Sequence, residues 1–364
     1  MNHRVVAVAV LSLFVSCFIG TLAFGALTFI EKVRESVAMN ADPSPPPEPD
    51  APPQATPEEP AQEEPDQPPA EATEPTEAYA APLIATAQFA VFHLERAKVD
   101  PWKALQKAVK GTKLEAFQGE APLTANPPYV VLRELPIADY AVIVGPALDE
   151  ARVSPAVKKA LPRARAATVI DVVLPLHDAS LREVSKAMAA LVAATGGVVW
   201  DEECQEYYDL ATWNERRVAS WENAVPEATM HYVVHEDSND RGVDFKTAGL
   251  SHLGLPELAL NHVPVALKDQ GLWLLHLVAQ LLFEGGTSAD PGPMLVRLED
   301  VKHGGQRGLV EAELLAGATR EADVVLAGAH DGKRPVLEIT FPGNTAVAGR
   351  AQKVLGSFFG TAEE

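Results

Sequence analysis

The chain has 364 residues, with 50 Asp and Glu against 30 Lys and Arg, a formal charge of −20 and two cysteines. That composition excludes a disulfide scaffold and any site built from paired Cys-x-x-Cys motifs. It also excludes the clustered Lys and Arg that non-specific nucleic-acid binding uses to displace counterions.

In chain order, the first feature runs from Val5 to Ile30, 26 residues without a charge between Arg4 and Glu31. A bilayer core takes roughly 20 apolar residues, so this stretch is long enough to span with some tilt. A cleaved signal peptide is the rival reading, but its apolar region covers only about 7–15 residues. Here hydrophobicity continues through Leu22, Phe24 and Leu27. A lipidated Cys17 is a third reading, opposed by Phe14 where a branched aliphatic is expected. The expectation is a single-pass transmembrane anchor over residues 1–35. Arg4 on one side nearly balances Lys32 and Arg34 on the other. A hydrophobic helix at the very start of a chain acts as a signal anchor, which points to a globular region outside the cytoplasm.

Residues 36–82 form the expected acidic, proline-rich linker. From Ala41 to Pro82 lie fourteen prolines and eleven acids, with no Lys or Arg. Such a segment has too little to bury and extends as polyproline II, so it reads as a disordered spacer. Without its eleven acids, 39 remain against 30 bases, a net of −9, so the rest of the chain is only moderately acidic.

Residues 83–364 form the expected globular region, with a split near 161–166 as the alternative to a single unit. Asp100-Pro101 opens a helix with Trp102, Leu105 and Val109 on one face. Strands are expected at 129–135 and 140–144. The clearest unit follows: a β-branched run over 167–174, a capping box at Ser180-Leu-Arg-Glu183, and Leu181, Val184, Met188, Leu191 and Val192 at helical spacing. Gly196-Gly197 then leads to a strand at 198–200. This is a β-α-β crossover, whose strands should be parallel.

Further strands are expected at 230–235 and 243–247, joined by a polar turn. Residues 271–283 read as a buried core helix, too short to cross a membrane. A terminal antiparallel sheet is expected from 294–298, 308–314, 323–327 and 335–341, and a closing helix over 346–359. The fold class is α+β, with mixed and antiparallel sheets, a β-α-β unit and packed helices, preceded by one transmembrane helix and a disordered tether.

Most chemical motifs fail. His231 and His235 have a zinc-chelating spacing on a helix, but on a strand it holds the rings about 13 Å apart. Asp237-Ser-Asn239-Asp-Arg241-Gly242 begins like a calcium loop, yet Arg241 and Ala248 stand where oxygen ligands are required. Gly249-Leu-Ser251-His-Leu253 lacks the second glycine of a nucleophile elbow. Gly328-Ala-His-Asp-Gly332-Lys-Arg334 has the wrong spacing for a phosphate loop. His276, one turn before Gln280, reads as a satisfied core histidine.

One candidate edge remains. The carboxyl ends of the β-α-β strands lie on one side of a sheet, where ligands of open sheets bind. That edge gathers His177 and Asp178 with Asp201, Glu202, Glu203 and Cys204. The catalytic candidates are His177, Asp201, Glu202 and Cys204, whose types serve as acid, base, nucleophile or metal ligand. No cofactor and no resident metal is expected.

Thr195-Gly-Gly-Val-Val-Trp-Asp201, then Trp213, then Thr247-Ala-Gly-Leu-Ser-His-Leu-Gly-Leu-Pro-Glu-Leu258 resembles a bacterial domain family of unknown function. Leu253 stands where that family has an aromatic, and Glu257 where it has Asp. The resemblance implies one compact α+β domain and carries no activity or catalytic residues. The leading expectation is a non-enzymatic binding module for a protein or cell-envelope partner, held at the membrane through Val5 to Ile30. The alternatives are a hydrolase or metal-dependent enzyme using the edge around His177 and Asp201–Cys204, and a neutralising partner of a basic toxin or peptide.

Overall fold

The structure, a computed structural model, describes residues 84–94, 99–136, 153–176, 179–285, 289–331, 334–344 and 346–360. The linker, the expected strand at 140–144 and the candidates His177 and Asp178 lie outside them. Tyr79–Glu364 form one compact unit.

The first sheet has six strands. β1 (Ala85–His93), β2 (Glu115–Gln118), β3 (Tyr129–Leu135), β4 (Ala166–Leu174), β5 (Gly197–Asp201) and β6 (Glu206–Tyr208) are arranged in the order β2-β3-β4-β1-β5-β6. β4 is almost entirely buried along its length, as a near-continuous β-branched run should be when both faces are covered. α1 (Pro101–Val109) and α3 (Ser180–Thr195) pack on one face through Leu105, Val109, Leu181, Val184, Met188 and Leu191. α2 (Pro155–Ala160) contributes Val157 to a smaller cluster on the other face, with Leu161, Ala90, Phe92, Val169 and Val198.

The β-α-β unit is a split one. β4 and β5 both run antiparallel to β1, so they are parallel to each other, with β1 between them. Sequence reading missed β1 because a nine-residue run following the linker carries no turn or helix partner of its own. Asp100 caps α1 as expected, its Oδ1 accepting from Trp102 N at 2.9 Å. The start of α3 differs from a capping box in two respects. The helix already includes Ser180, Ala179 makes no side-chain cap bond, and Glu183 accepts instead from Lys113 N at 3.3 Å.

From β6 the chain passes through α4 (Leu210–Trp213) and a π-helical stretch (Asn214–Val218) to a small hairpin, β7 (Trp221–Glu222) and β8 (Val225–Pro226). The second sheet comprises β9 (Val233–Asn239), β10 (Gly242–Ala248), β11 (Glu257–Val263), β12 (Gly292–Arg297), β13 (Glu321–Asp331) and β14 (Arg334–Thr340), in the order β12-β13-β14-β11-β10-β9. Within this sheet β11 and β14 pair in parallel and the other neighbours are antiparallel. The suspected calcium loop is a hairpin turn, with Arg241 N bonded to Asn239 Oδ1 at 2.9 Å and Gly242 at φ +132°. α5 (Lys268–Gly285) and α7 (Val347–Phe359) cover one face of this sheet.

Residues 308–314 are not a strand. All but Leu314 belong to α6 (Gly304–Glu313), capped by His303 Nδ1, which accepts from Gln306 N at 3.1 Å. Gln306 and Val310, one helical turn apart, are its buried residues, where a strand would alternate.

The expected membrane-spanning architecture is corrected. No helix among the described residues is long and apolar enough to cross a membrane. The most apolar, α5, carries Lys268, Asp269, Gln270, His276, Gln280 and Glu284 within its 18 residues. Of these, His276, Gln280 and Glu284 have hydrogen-bond partners inside the protein, which hydrocarbon would not supply. Val5 to Ile30 lies outside the described residues, so the architecture is α+β with mixed and antiparallel sheets and no transmembrane helix among them.

Candidate functional site

The chemically richest cluster lies on the seam between the two sheets. β5 ends in Asp201, whose carboxylate turns inward; Cys204 follows in the β5–β6 turn. The π-helical stretch adds Arg217, and the short 3₁₀ turn Leu250–Leu253 between β10 and β11 adds His252. All four are at most 2% exposed.

Each contact has a direction. Arg217 Nη2 donates to Asp201 Oδ2 at 2.7 Å and to Tyr208 Oη at 3.1 Å, and lies 3.4 Å from Cys204 Sγ. Its guanidinium carbon sits 5.1 Å from the Tyr208 ring centre and 5.9 Å from Trp213. Asp201 Oδ1 accepts from Cys204 N at 3.1 Å and lies 3.3 Å from His252 Nε2. Cys204 Sγ is 3.5 Å from the His231 carbonyl, which is also 3.1 Å from His252 Nδ1. Arg217 Nε and Nη1 and His231 Nε2 are buried without a hydrogen-bond partner.

The electrostatics follow from burial and neighbours. Burial works against charging Asp201, but His252 and Arg217 outweigh it and hold the carboxyl well below the ordinary range. Burial likewise opposes the His252 cation, and Asp201 outweighs it, holding the imidazole well above its ordinary value. Burial and the Asp201 charge together push the Cys204 thiol up, against the pull of Arg217. Cys204 is therefore held as a buried, protonated thiol.

The expected edge does not stay together. Asp201 and Cys204 point into the seam. Glu203 is buried and pairs with Arg334 of β14 at 3.2 Å. Glu202 takes the opposite direction and accepts from Trp200 Nε1 at 2.7 Å. His231 and His235 separate as well, since His231 is buried beside the cluster and His235 is exposed on β9. His276 lies 2.6 Å from Tyr232 Oη, and Gln280 bonds Ala228 N, Pro226 O and Glu284.

The residues that sequence reading missed are Arg217, His252 and Tyr208. His252 stood inside the Gly249–Leu253 segment tested only for a serine nucleophile. Arg217 carried no local signal at all.

The Thr247–Leu258 motif acquires a physical reading. Thr247 Oγ1 donates to Glu257 Oε2 at 2.6 Å and accepts from Leu258 N at 2.7 Å, and Gly249 N bonds Glu257 Oε1 at 3.0 Å. These bonds close the loop. Gly249 sits at φ +111°, and a Cβ there would meet Cys204 Sγ at 2.6 Å and the His231 carbonyl at 3.0 Å. Gly254, at φ +72°, lies against the first sheet, where a Cβ would meet Leu176 Cδ2 at 2.5 Å and Ala85 Cβ at 3.3 Å. The two glycines let the loop dock on the first sheet.

The solvent-facing features lie on the second sheet. A groove of about 440 Å³ opens there, and its lining includes Glu236, Asp237, Asp244, Asp331 and Glu338, with Lys246 the one lysine or arginine. Lys246 pairs with Asp331 in the open, the two side chains being 41% and 63% exposed. Comparison with protein-family models, with curated proteins and with solved structures finds no match for this chain.

Proposed function

We propose that the α+β region is a non-enzymatic binding module, and that it presents the open face of its second sheet to an extended basic segment of a protein partner. The observation carrying this reading is the acidic groove on that face, lined by five carboxylates, of which Asp331 pairs with Lys246, Glu236 with Lys268 and Asp244 with His262, leaving Asp237 and Glu338 without a basic partner among the ion pairs there. Its floor holds small and apolar side chains, Ala259, Ala329 and Val336. A flat, acid-rimmed floor suits extended chain with Lys or Arg at alternate positions. β9, at the edge of the sheet, pairs only with β10 among the described residues, so its outer side offers backbone groups for strand addition.

The cluster at the seam supports the same reading from the other side. Its reactive groups are inward and buried, so they serve to hold the sheets in place.

The test is calorimetric titration of the full chain with a lysine-rich peptide, repeated on Glu236→Gln/Asp237→Asn/Glu338→Gln. The linker's acids are the same in both proteins, so any difference reports the groove. A clear loss of affinity in the variant, reduced further by salt, is expected. Equal affinity in the two proteins would remove the groove as the binding surface.

A further inference from the structure

Three donor types converge at the seam. The carboxylate of Asp201, the thiol of Cys204 and the imidazole of His252 each offer a ligand atom, and these atoms lie within 4.8 Å of one another, all buried. His252 Nε2 and Asp201 Oδ1 are 3.3 Å apart, an ion pair whose geometry falls outside that of a hydrogen bond. A nitrogen–oxygen edge of the tetrahedron around zinc is also about 3.3 Å. A sulfur edge is about 3.5 Å, and the thiol already lies within 4.8 Å of both other donor atoms.

The surroundings resemble those of a ligated site. His252 Nδ1 lies 3.1 Å from the His231 carbonyl, the arrangement that fixes a metal-binding imidazole with Nε2 turned to the ion. Arg217 takes the other carboxylate oxygen, Asp201 Oδ2, and leaves Oδ1 on the side of His252. Its approach to Cys204 Sγ at 3.4 Å suits a thiolate that accepts from a cation.

We propose that Asp201, Cys204 and His252 bind one divalent cation of the zinc class, as a structural site that joins the two sheets. Thiolate and imidazole together select a borderline-soft ion over magnesium or calcium. Binding forms bonds from the metal to Sγ, Nε2 and Oδ1. The thiol proton of Cys204 and the Nε2 proton of a charged His252 leave to solvent, so two protons exchange for one divalent ion at unchanged net charge. Among the described residues the group has three side chains, which leaves the fourth position of a zinc tetrahedron open to a further donor. This inference is independent of the binding surface proposed above.

The experiment uses the full chain with Cys17→Ser, so that Cys204 is the one thiol, purified without a metal-binding tag. After dialysis against zinc and then buffer, metal analysis should find stoichiometric zinc, and chelation should lower Tm. Cobalt in place of zinc should give thiolate-to-metal charge-transfer absorption in the near ultraviolet. Adding Cys204→Ser should abolish that absorption and weaken zinc retention by about tenfold or more. Zinc far below one per chain in the Cys17→Ser protein would overturn the proposal. So would full zinc retention by a folded Cys204→Ser variant. Should that variant fail to fold, the cobalt spectrum of the parent decides: the thiolate band supports the site, and its absence removes it.

Discussion

The two six-stranded sheets use their faces differently. The first is covered on both sides, and β4 reads as a β-branched run in which even Asp171 is buried. That carboxylate is tolerated because Arg133 Nε donates to it at 2.7 Å and Gln88 also donates to it. Among the described residues the second sheet is covered by helices on one side, and β10 alternates buried Val243, Phe245 and Thr247 with half-exposed Asp244, Lys246 and Ala248. A charge on a doubly covered strand needs a dedicated partner; on a half-covered strand it needs only solvent. The seam where the sheets meet obeys the first rule, and the groove obeys the second.

Breaking the seam should have the largest effect. Asp201→Ala leaves Arg217 and His252 buried without their counter-charge, and should destabilise the domain by about 3–5 kcal/mol in urea unfolding. A loss under ~1 kcal/mol would mean that the cluster does not hold the sheets together. Next comes Gly249→Ala, which adds both a strained φ and a Cβ against Cys204 Sγ; about 2–4 kcal/mol is expected. Gly111→Ala is the control. Its φ of +85° carries the same strain with no atom within 4 Å, so about 1 kcal/mol should result.

A smaller effect comes from two buried neutral histidines, one associated with each sheet. Burial pushes His93, in β1, and His276, in α5, down to about 4 from an ordinary 6.5. The unfolded chain then binds protons that the folded one refuses. Stability from each is present above pH 6.5 and is lost as pH falls from 6.5 to about 4, on the order of 1–3 kcal/mol per group. Unfolding free energy followed across that window should fall less steeply in His93→Gln than in the parent. Parallel curves would show that His93 is not the neutral core group described. Smallest of all, Lys246→Ala removes an exposed pair on the open face and should change stability by under ~0.5 kcal/mol. A larger loss would show that this face is part of the core.

Local patterning made much of this fold legible. The runs and periodicities of β3, β4, α3, β5, α5 and α7 lie in consecutive residues, where a period of two or 3.6 is visible without any partner. α6 was misread because its glycines and single buried valine give neither period clearly. β1 and β11 were missed for another reason: the identity of each as a strand comes from neighbours brought in from elsewhere in the chain. Of the seam, Asp201 and Cys204 were visible as polar residues closing a strand. Arg217 and His252 were not, because nothing near them in sequence distinguishes a buried charge from a solvated one.

By itself, then, the amino-acid sequence determined the elements with a clear local period, such as β3, β4, α3, β5, α5 and α7, the α+β class and the parallel sense of β4 and β5. These depend on side-chain periodicity and on the handedness of a strand-helix-strand connection, both local properties. Tertiary structure alone decided that β1 enters between β4 and β5, that Glu202 and Cys204 part company, and that a π-helical arginine and a loop histidine meet one aspartate. Those outcomes depend on which buried charges find each other, and a charge in the interior survives only where distant segments deliver its partner.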